Sequence, residues 1–374
     1  MLKKFNALLL LFIILLITSC SSSNKLNLKI EEVNKVAATR NSIVPPVQYE
    51  KIKNIDDIGY KYQLFIHNNM LFAGNLDGEI YIINLKTKTG KELTEIDEPI
   101  ESEVFANDNY IFAGTTKGNL YKIDYNGKII WKKQLGFPII GEISQRKGNL
   151  FVLTQNNTVN CIDSKNGTII WKYSKGYEIL SIRGNSGIMF AKDAFYAGFD
   201  DGSINKISYK GDEIWSVQLG YGSMFVDADS KPTGKNRIFA STANGYTEAL
   251  SAIDGNLLWK RKISSYSNLQ SNIFGLFLSD EEGNVIALDA SNGETIWKRK
   301  LTKEGNIYSI YLTENSIFAM TDKGKLFVLD PISGKIMDIK DISDDFSSNF
   351  TRYKDKLYII SRDGSIYSIS SKNK

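Results

Sequence analysis

The residues with chemistry to offer are few. Cys20 and Cys161 are the two cysteines, and His67 the single histidine, of a 374-residue chain. That supply rules out most metal sites and histidine-dependent catalysis. Cys20 ends the run Ile17-Thr18-Ser19-Cys20, behind Lys3, Lys4 and an unbroken apolar stretch from Ala7 to Ile17. A thiol there, after two small residues, sits where a leader peptide is cut and is placed to take up lipid. Cys161 then has no partner, so the chain lacks an internal disulfide even in an oxidising compartment, and packing alone must hold it. His67 lies in His67-Asn68-Asn69 between two apolar runs and reads as a solvated turn residue. Asp227-Ala228-Asp229 looks like the opening of a calcium loop. Lys231 occupies the place of the third oxygen ligand, however, and no Gly-x5-Glu continuation follows, which excludes that reading. No P-loop, G-x-S-x-G or H-E-x-x-H motif occurs.

The leader reads MLKKFNALLLLFIILLITSC. A positive start and a short apolar run make a secretory signal, too short for a comfortable membrane span. Ile17–Cys20 is similar to the bacterial lipobox, in which the cysteine receives lipid. The plainer alternative, a secretory signal with an incidental cysteine, is opposed by the position of Cys20 at the cleavage site itself. Two or more acyl chains on Cys20 would anchor the protein firmly, each buried methylene adding roughly 0.8 kcal/mol. Ser21 follows rather than Asp, which in lipoproteins of this kind implies sorting to the outer membrane. Residues 20–46 then form the lipid anchor and a flexible tether. The stretch has no sustained apolar period, only a weak helical signal from Ile30 to Ala38, and it ends in Pro45-Pro46.

Composition sets the class of the remainder. Apolar content of 42% and charged content of 24% exclude a mostly disordered chain. The 19 Tyr, 19 Phe and 29 Gly against 6 Pro favour strands joined by glycine turns. Net charge is +4, and two of those charges, Lys3 and Lys4, lie in the leader, so bulk attraction to nucleic acid is excluded.

One pattern recurs: a turn, an apolar strand, an Asp or Ser, a second turn glycine, then a strand often holding Trp-Lys. Its first turns fall at Gly78, Gly118, Asn157, Gly202, Gly245, Gly283, Gly324 and Gly364, at intervals of 40, 39, 45, 43, 38, 41 and 40. All five tryptophans, Trp131, Trp171, Trp215, Trp259 and Trp297, share one phase. A period near 40 with several short strands per unit predicts a β-propeller. In the second unit the strands are expected at Ser102–Asn107, Tyr110–Gly114, Asn119–Asp124 and Ile129–Gln134, from inner to outer. The third strand is apolar on both faces, with Leu120 on one and Tyr121 and Ile123 on the other. A blade sandwiched between blades needs that pattern. Lys132 and Lys133, Lys260 to Lys262, and Lys298 to Lys300 mark the outer strands. They could form a basic stripe for nucleic acid, but lysine on an edge strand more simply discourages sheet-to-sheet aggregation.

The eighth unit ends at Lys374 without an outer strand, whereas Val47–Lys53 alternates and has no unit of its own. Pairing of that strand with Ser365–Ser370 would close the ring. The 328 residues from Val47 to Lys374 hold eight units of 41, which favours eight blades over seven. The expectation is an all-β, eight-bladed propeller of four-stranded antiparallel blades over 47–374, behind a signal peptide at 1–19.

The unit G-x-[IVL]-x-x-[IL]-[DNS]…G-x-x-[IL]-W-[KS] resembles the repeat of propellers related to quinoprotein dehydrogenases. Two families share it: enzymes that bind pyrroloquinoline quinone, and the BamB family of lipoprotein scaffolds in the outer-membrane β-barrel assembly machinery. The lipobox, tether and eight repeats look like the second. Leu180-Ser181-Ile182-Arg183-Gly184-Asn185-Ser186 is similar to that family's L-x-L-R-G-x-S segment. Phe225-Val226-Asp227-Ala228-Asp229-Ser230-Lys231-Pro232 is similar to its S-D-x-D-x-x-P segment, although Phe225 and Val226 depart from the pattern. Both fall in the two longest intervals, between an outer strand and the next inner one. The resemblance implies that these loops contact a periplasmic domain of the barrel-forming subunit, through Leu180, Ile182, Arg183, Asp227 and Asp229. On the residues alone, Arg183 could instead satisfy loop carbonyls, and the two aspartates could serve Asx turns.

The resemblance therefore implies a non-catalytic scaffold, without cofactor or metal, anchored to the outer membrane through Cys20 and facing the periplasm. Unfolded outer-membrane proteins are a further possible partner. The opposing reading is a quinone-dependent dehydrogenase or sensor. The quinone family's adjacent Cys-Cys pair is absent, and no constellation of catalytic carboxylates stands out.

Overall fold

A computed structural model describes residues 43–59, 62–175, 187–219, 231–242, 245–265, 267–303 and 306–372. These residues fold into eight four-stranded antiparallel sheets, with no helix among them. Each repeat unit is one sheet, a blade, and its strands lie side by side in chain order from the ring's centre outward. The second blade has Phe105–Ala106 innermost, then Tyr110–Gly114, Asn119–Asp124 and Ile129–Gln134.

Alternation along the third strands places the core. Successive side chains of a strand point to opposite faces. Leu120 accordingly packs with Phe112, Leu150 and Ile162 against the third blade, whereas Tyr121 and Ile123 pack with Phe72 and Ile80 against the first. The sixth blade repeats this, with Val285 facing the seventh blade and Ile286 and Leu288 the fifth. There is no single core. Eight apolar clusters fill the eight gaps between neighbouring blades, the last of them joining Tyr358 and Ile366 to Leu71 and Ile83.

Tryptophan sets the spacing of the blades at their outer edge. The rings of Trp131, Trp171, Trp215, Trp259 and Trp297 lie against Gly167, Gly211, Gly255, Gly293 and Gly334 of the following blade, where a Cβ would come 2.6 to 3.1 Å from ring carbons. Trp171, Trp259 and Trp297 also donate Nε1–H to the carbonyls of Tyr209, Ala290 and Pro331 in that blade. This is why the tryptophans share one phase.

The ring closes as the unpaired eighth unit requires. Val47–Asn54 is the outer strand of the last blade, antiparallel to Ser365–Ser371, with Val47 opposite Ser371 and Asn54 opposite Ser365. A bulge between Lys51 and Lys53 interrupts the register. Ile43 and Val47 are fully buried in the cluster between the seventh and eighth blades, and the Val47 N–H donates to Asp338 Oδ2 at 2.7 Å.

Three expectations need correction. The inner strand of the second blade is Phe105–Ala106, not Ser102–Asn107. The Ser102 hydroxyl accepts from the Gly114 N–H at 2.9 Å and donates to the Gly114 carbonyl at 3.0 Å, so a side chain replaces the ladder there. The Glu103 N–H turns instead to the Gly141 carbonyl. His67 is partly exposed, as expected, but does not lie in the turn: it ends the inner strand Phe65–His67, and its Nε2 lies 2.7 Å from Asp108 Oδ1 of the second blade. The outer-strand lysines do not merely repel other sheets. Lys132, Lys260 and Lys298 reach back to Glu98, Glu248 and Asp280 at 2.8, 2.8 and 3.0 Å.

Candidate partner-binding end

In a four-stranded antiparallel blade, the turn between the second and third strands shares one end with the connection leaving the outer strand. Backbone bonds lock the two together here. Ile55 N–H donates to Gly364 O at 3.0 Å, Leu135 N–H to Gly118 O at 2.8 Å, Leu219 N–H to Gly202 O at 3.0 Å and Leu301 N–H to Gly283 O at 3.0 Å. The turn glycine is what permits this contact. Gly118 has φ +78°, and a Cβ on it would come 2.7 Å from the Phe137 carbonyl oxygen. One end of the propeller is thus paved with connections running from outer to inner strands.

The two longest connections, spanning 176–186 and 220–230, leave from this end, after the outer strands Ile169–Ser174 and Glu213–Gln218 of the third and fourth blades. Leu180, Ile182, Arg183, Asp227 and Asp229 lie within them, outside the described residues, as does Cys20. The ends of both connections are described. Lys175 precedes the first, its N–H bonded to Asn157 O at 3.2 Å and its ammonium 3.3 Å from Glu213 Oε2. Gly187 follows it. The second runs from the buried Leu219 to Lys231.

Those two exit points meet. Lys231 Nζ lies 2.5 Å from Glu142 Oε2, just ahead of the inner strand Ile143–Arg146 of the third blade. A Cβ on Gly187 would lie 2.8 Å from the same Glu142 oxygen and 2.9 Å from Lys231 Cδ. Glu103, Glu142 and Lys231 line one open pocket of about 310 Å³ together with Phe65, Phe105 and Phe190. Burial pushes the Glu103 carboxyl well above the usual carboxylate range; the Glu142 charge adds to this and Lys231 offsets part of it. The ammonium of Lys231 is paired with Glu142, and Glu103 lies near that pair. No motif singles out Glu103 and Glu142 in the sequence, although the repeat carries a signal: they lie 39 residues apart, at one phase, each just before an inner strand.

Farther out at the same end, Glu98 is buried in a complete polar shell. It accepts from Thr115 at 2.7 Å, from Asn119 at 2.9 and 3.0 Å, from Tyr121 at 2.9 Å and from Lys132 at 2.8 Å. Burial raises its pKa, but these donors outweigh that and hold it at about 2. Every acceptor site is used, so this network braces the blade. Cys161 is buried and unpaired, and burial pushes its thiol up to about 11, so it is not poised as a nucleophile. Among the described residues no group of three or more His, Cys, Asp or Glu could hold a metal ion. Among them, too, no helix is long and apolar enough to cross a membrane.

Eight blades, a terminal strand that closes the ring and tryptophan–glycine docking between blades define an eight-bladed β-propeller of the quinoprotein-like repeat class. Within that class, the chain belongs to the family of the outer membrane protein assembly factor BamB, whose family model matches residues 76–299 and 281–374. BamB of Yersinia pestis is 24% identical over 164 residues, 42% of this chain and 42% of that protein, so the chain spans less than half of that curated relative. The crystal structure of BamB from Moraxella catarrhalis superposes with a TM-score of 0.76 at 19% identity, over 86% of this chain and all of that one. The quinohemoprotein alcohol dehydrogenase of Comamonas testosteroni superposes with a TM-score of 0.69 at 11% identity, over 90% of this chain and 78% of that one. At such identities both structures speak for the fold alone.

Proposed function

We propose that this protein is a non-catalytic scaffold of the outer-membrane β-barrel assembly machinery. It is anchored by lipid on Cys20, faces the periplasm, and binds the barrel-forming subunit through the end that carries connections 176–186 and 220–230. Family membership supports the scaffold role. The observation that carries the choice of surface is that the four ends of these connections, Lys175, Gly187, Leu219 and Lys231, belong to one end of adjacent blades. Leu180 and Ile182 supply apolar anchors, with Arg183, Asp227 and Asp229 as flanking charge, the composition of a protein-binding hot spot.

Copurification from membranes, run beside a melting curve, tests this. Arg183→Glu, and separately Asp227→Arg with Asp229→Arg, should lose the barrel-forming subunit and melt like the unaltered protein. Normal melting with full retention of the subunit removes these residues from the interface. The catalytic alternative has its own test: titration with pyrroloquinoline quinone and calcium should show no saturable binding at micromolar levels, and saturation there would falsify the non-catalytic reading.

A further inference from the structure

We propose that the pocket lined by Phe65, Phe105 and Glu103 is a binding site for a small, free organic monocation, an amine or guanidine carried on an apolar body. Its walls come from the inner strands of blades one to four and from the residues that lead into the inner strands of blades one, two, three and five. The aromatic wall is not something the repeat supplies. Each inner strand sets one residue opposite a large side chain of the second strand. In blades three, five, six and eight that residue is polar, as Ser144, Thr233, Gln270 and Thr351. Only in blades one and two is it phenylalanine, and the rings of Phe65 and Phe105 meet with centroids 4.9 Å apart. Charge enters two residues earlier. There the pocket carries Glu103 and Glu142 against Lys231, two carboxylates against one ammonium, and no other charged residue lines it. The ammonium is bonded to Glu142 at 2.5 Å, past Gly187, which has no side chain to intervene. No donor bonds the Glu103 carboxylate. A carboxylate so enclosed and unpaired is costly until a cation meets it. A monocation supplies what is missing: its charge pairs with Glu103 and its body lies on the two phenylalanine rings. An anion finds the only ammonium already taken. The volume of about 310 Å³ gives room for one small molecule.

Calorimetric titration of the full mature chain with phenethylammonium tests this. Phenylacetate and phenethyl alcohol carry the same ring with a negative charge or none. The cation should saturate one site, and the other two probes should bind at least about tenfold more weakly. Glu103→Gln should weaken the cation by about tenfold or more, and Phe105→Leu by about threefold. Lys231→Met leaves the Glu142 carboxylate unpaired as well, and should tighten the cation by about threefold or more. That gain is one that no loss of folding imitates, so it carries the test if Glu103→Gln fails to fold. Equal binding of the three probes, cation binding that a folded Glu103→Gln leaves unchanged, or no gain in Lys231→Met overturns the site. Nα-acetyl-lysine amide separates a free cation from the basic side chain of a bound protein. Weaker binding of the amide than of phenethylammonium supports the free molecule, and binding about tenfold tighter overturns it.

Discussion

The Ser365 hydroxyl donates to the Asn54 side-chain oxygen at 2.9 Å and joins residues 311 apart in the chain. It lies at one end of the ladder that closes the ring, where the Ile55 N–H also donates to the Gly364 carbonyl at 3.0 Å. Deleting Val47–Lys53 should therefore lower the melting temperature steeply and cause aggregation, because Ser365–Ser371 would become an uncovered strand edge. Deleting Ser21–Asn41 should leave melting unchanged. Calorimetry on the two deletions decides the matter, and equal midpoints would refute closure by this strand.

Contact between blades through tryptophan predicts a sharp cost at a single position. Gly255 has φ +75°, and a Cβ on it would come 2.9 Å from the Trp215 ring and 2.9 Å from Val217 Cγ2. Gly255→Ala should cost about 2–4 kcal/mol, from left-handed strain together with separation of the fourth and fifth blades. Denaturant titration measures it. A loss no larger than that of an exposed alanine substitution would show that the ring does not need the glycine.

Acid stability should depend on Glu98. The unfolded chain binds this proton near 4.5, whereas the folded chain resists it down to about 2. The contribution is thus complete above the unfolded value and is lost as pH falls through the folded one. Glu98→Gln should cost about 1–3 kcal/mol at neutral pH, and the difference from the unaltered protein should shrink toward pH 2. Parallel unfolding curves from pH 7 to pH 2 check the sign.

Glu103 should show the opposite dependence. Its pKa is raised on folding, so its contribution is fully present below the unfolded value and declines as pH rises through the folded one. Glu103→Gln should raise the melting temperature at neutral pH and flatten the fall in stability above the ordinary carboxylate range. A lower melting temperature at pH 7 would mean that the ionised Glu103 is needed.

If Cys20 carries the proposed lipid, Cys20→Ser should yield a folded protein that leaves the membrane pellet on washing with high salt. Retention in the pellet would place the anchor elsewhere.

Most of the fold could be read from the chain because the repeat reports it eight times. Turn residues and tryptophans at one phase fix blade number, and the missing last strand with a surplus first one fixes closure. Three of the four strands of blade two begin and end where the pattern puts them. The inner strand does not, because Ser102 makes with its hydroxyl the bonds a ladder would make with backbone. The site was less legible for a related reason. Periodicity reports what every blade shares, whereas Glu103, Glu142 and Lys231 matter through what three particular blades bring together at one end. Their meeting depends on distances that a spacing of 39 residues does not encode. The contact of His67 was missed similarly, since Asp108 reaches it from the next blade.

The closing strand also determines how the ring bears load. The chain enters Val47–Asn54 at the end opposite the outer-to-inner connections, with Ile43 and Val47 packed between the last two blades. A pull on the residues before Ile43, away from that end, runs along this strand. It therefore loads the seven residue pairs from Val47–Ser371 to Asn54–Ser365 together, in shear, and does not peel them one at a time. Rupture under force is governed by the unfolding rate, and a ladder loaded in parallel breaks only when the whole row yields. If residues 20–46 are the proposed tether, the ring is latched by the very strand that this tether would pull.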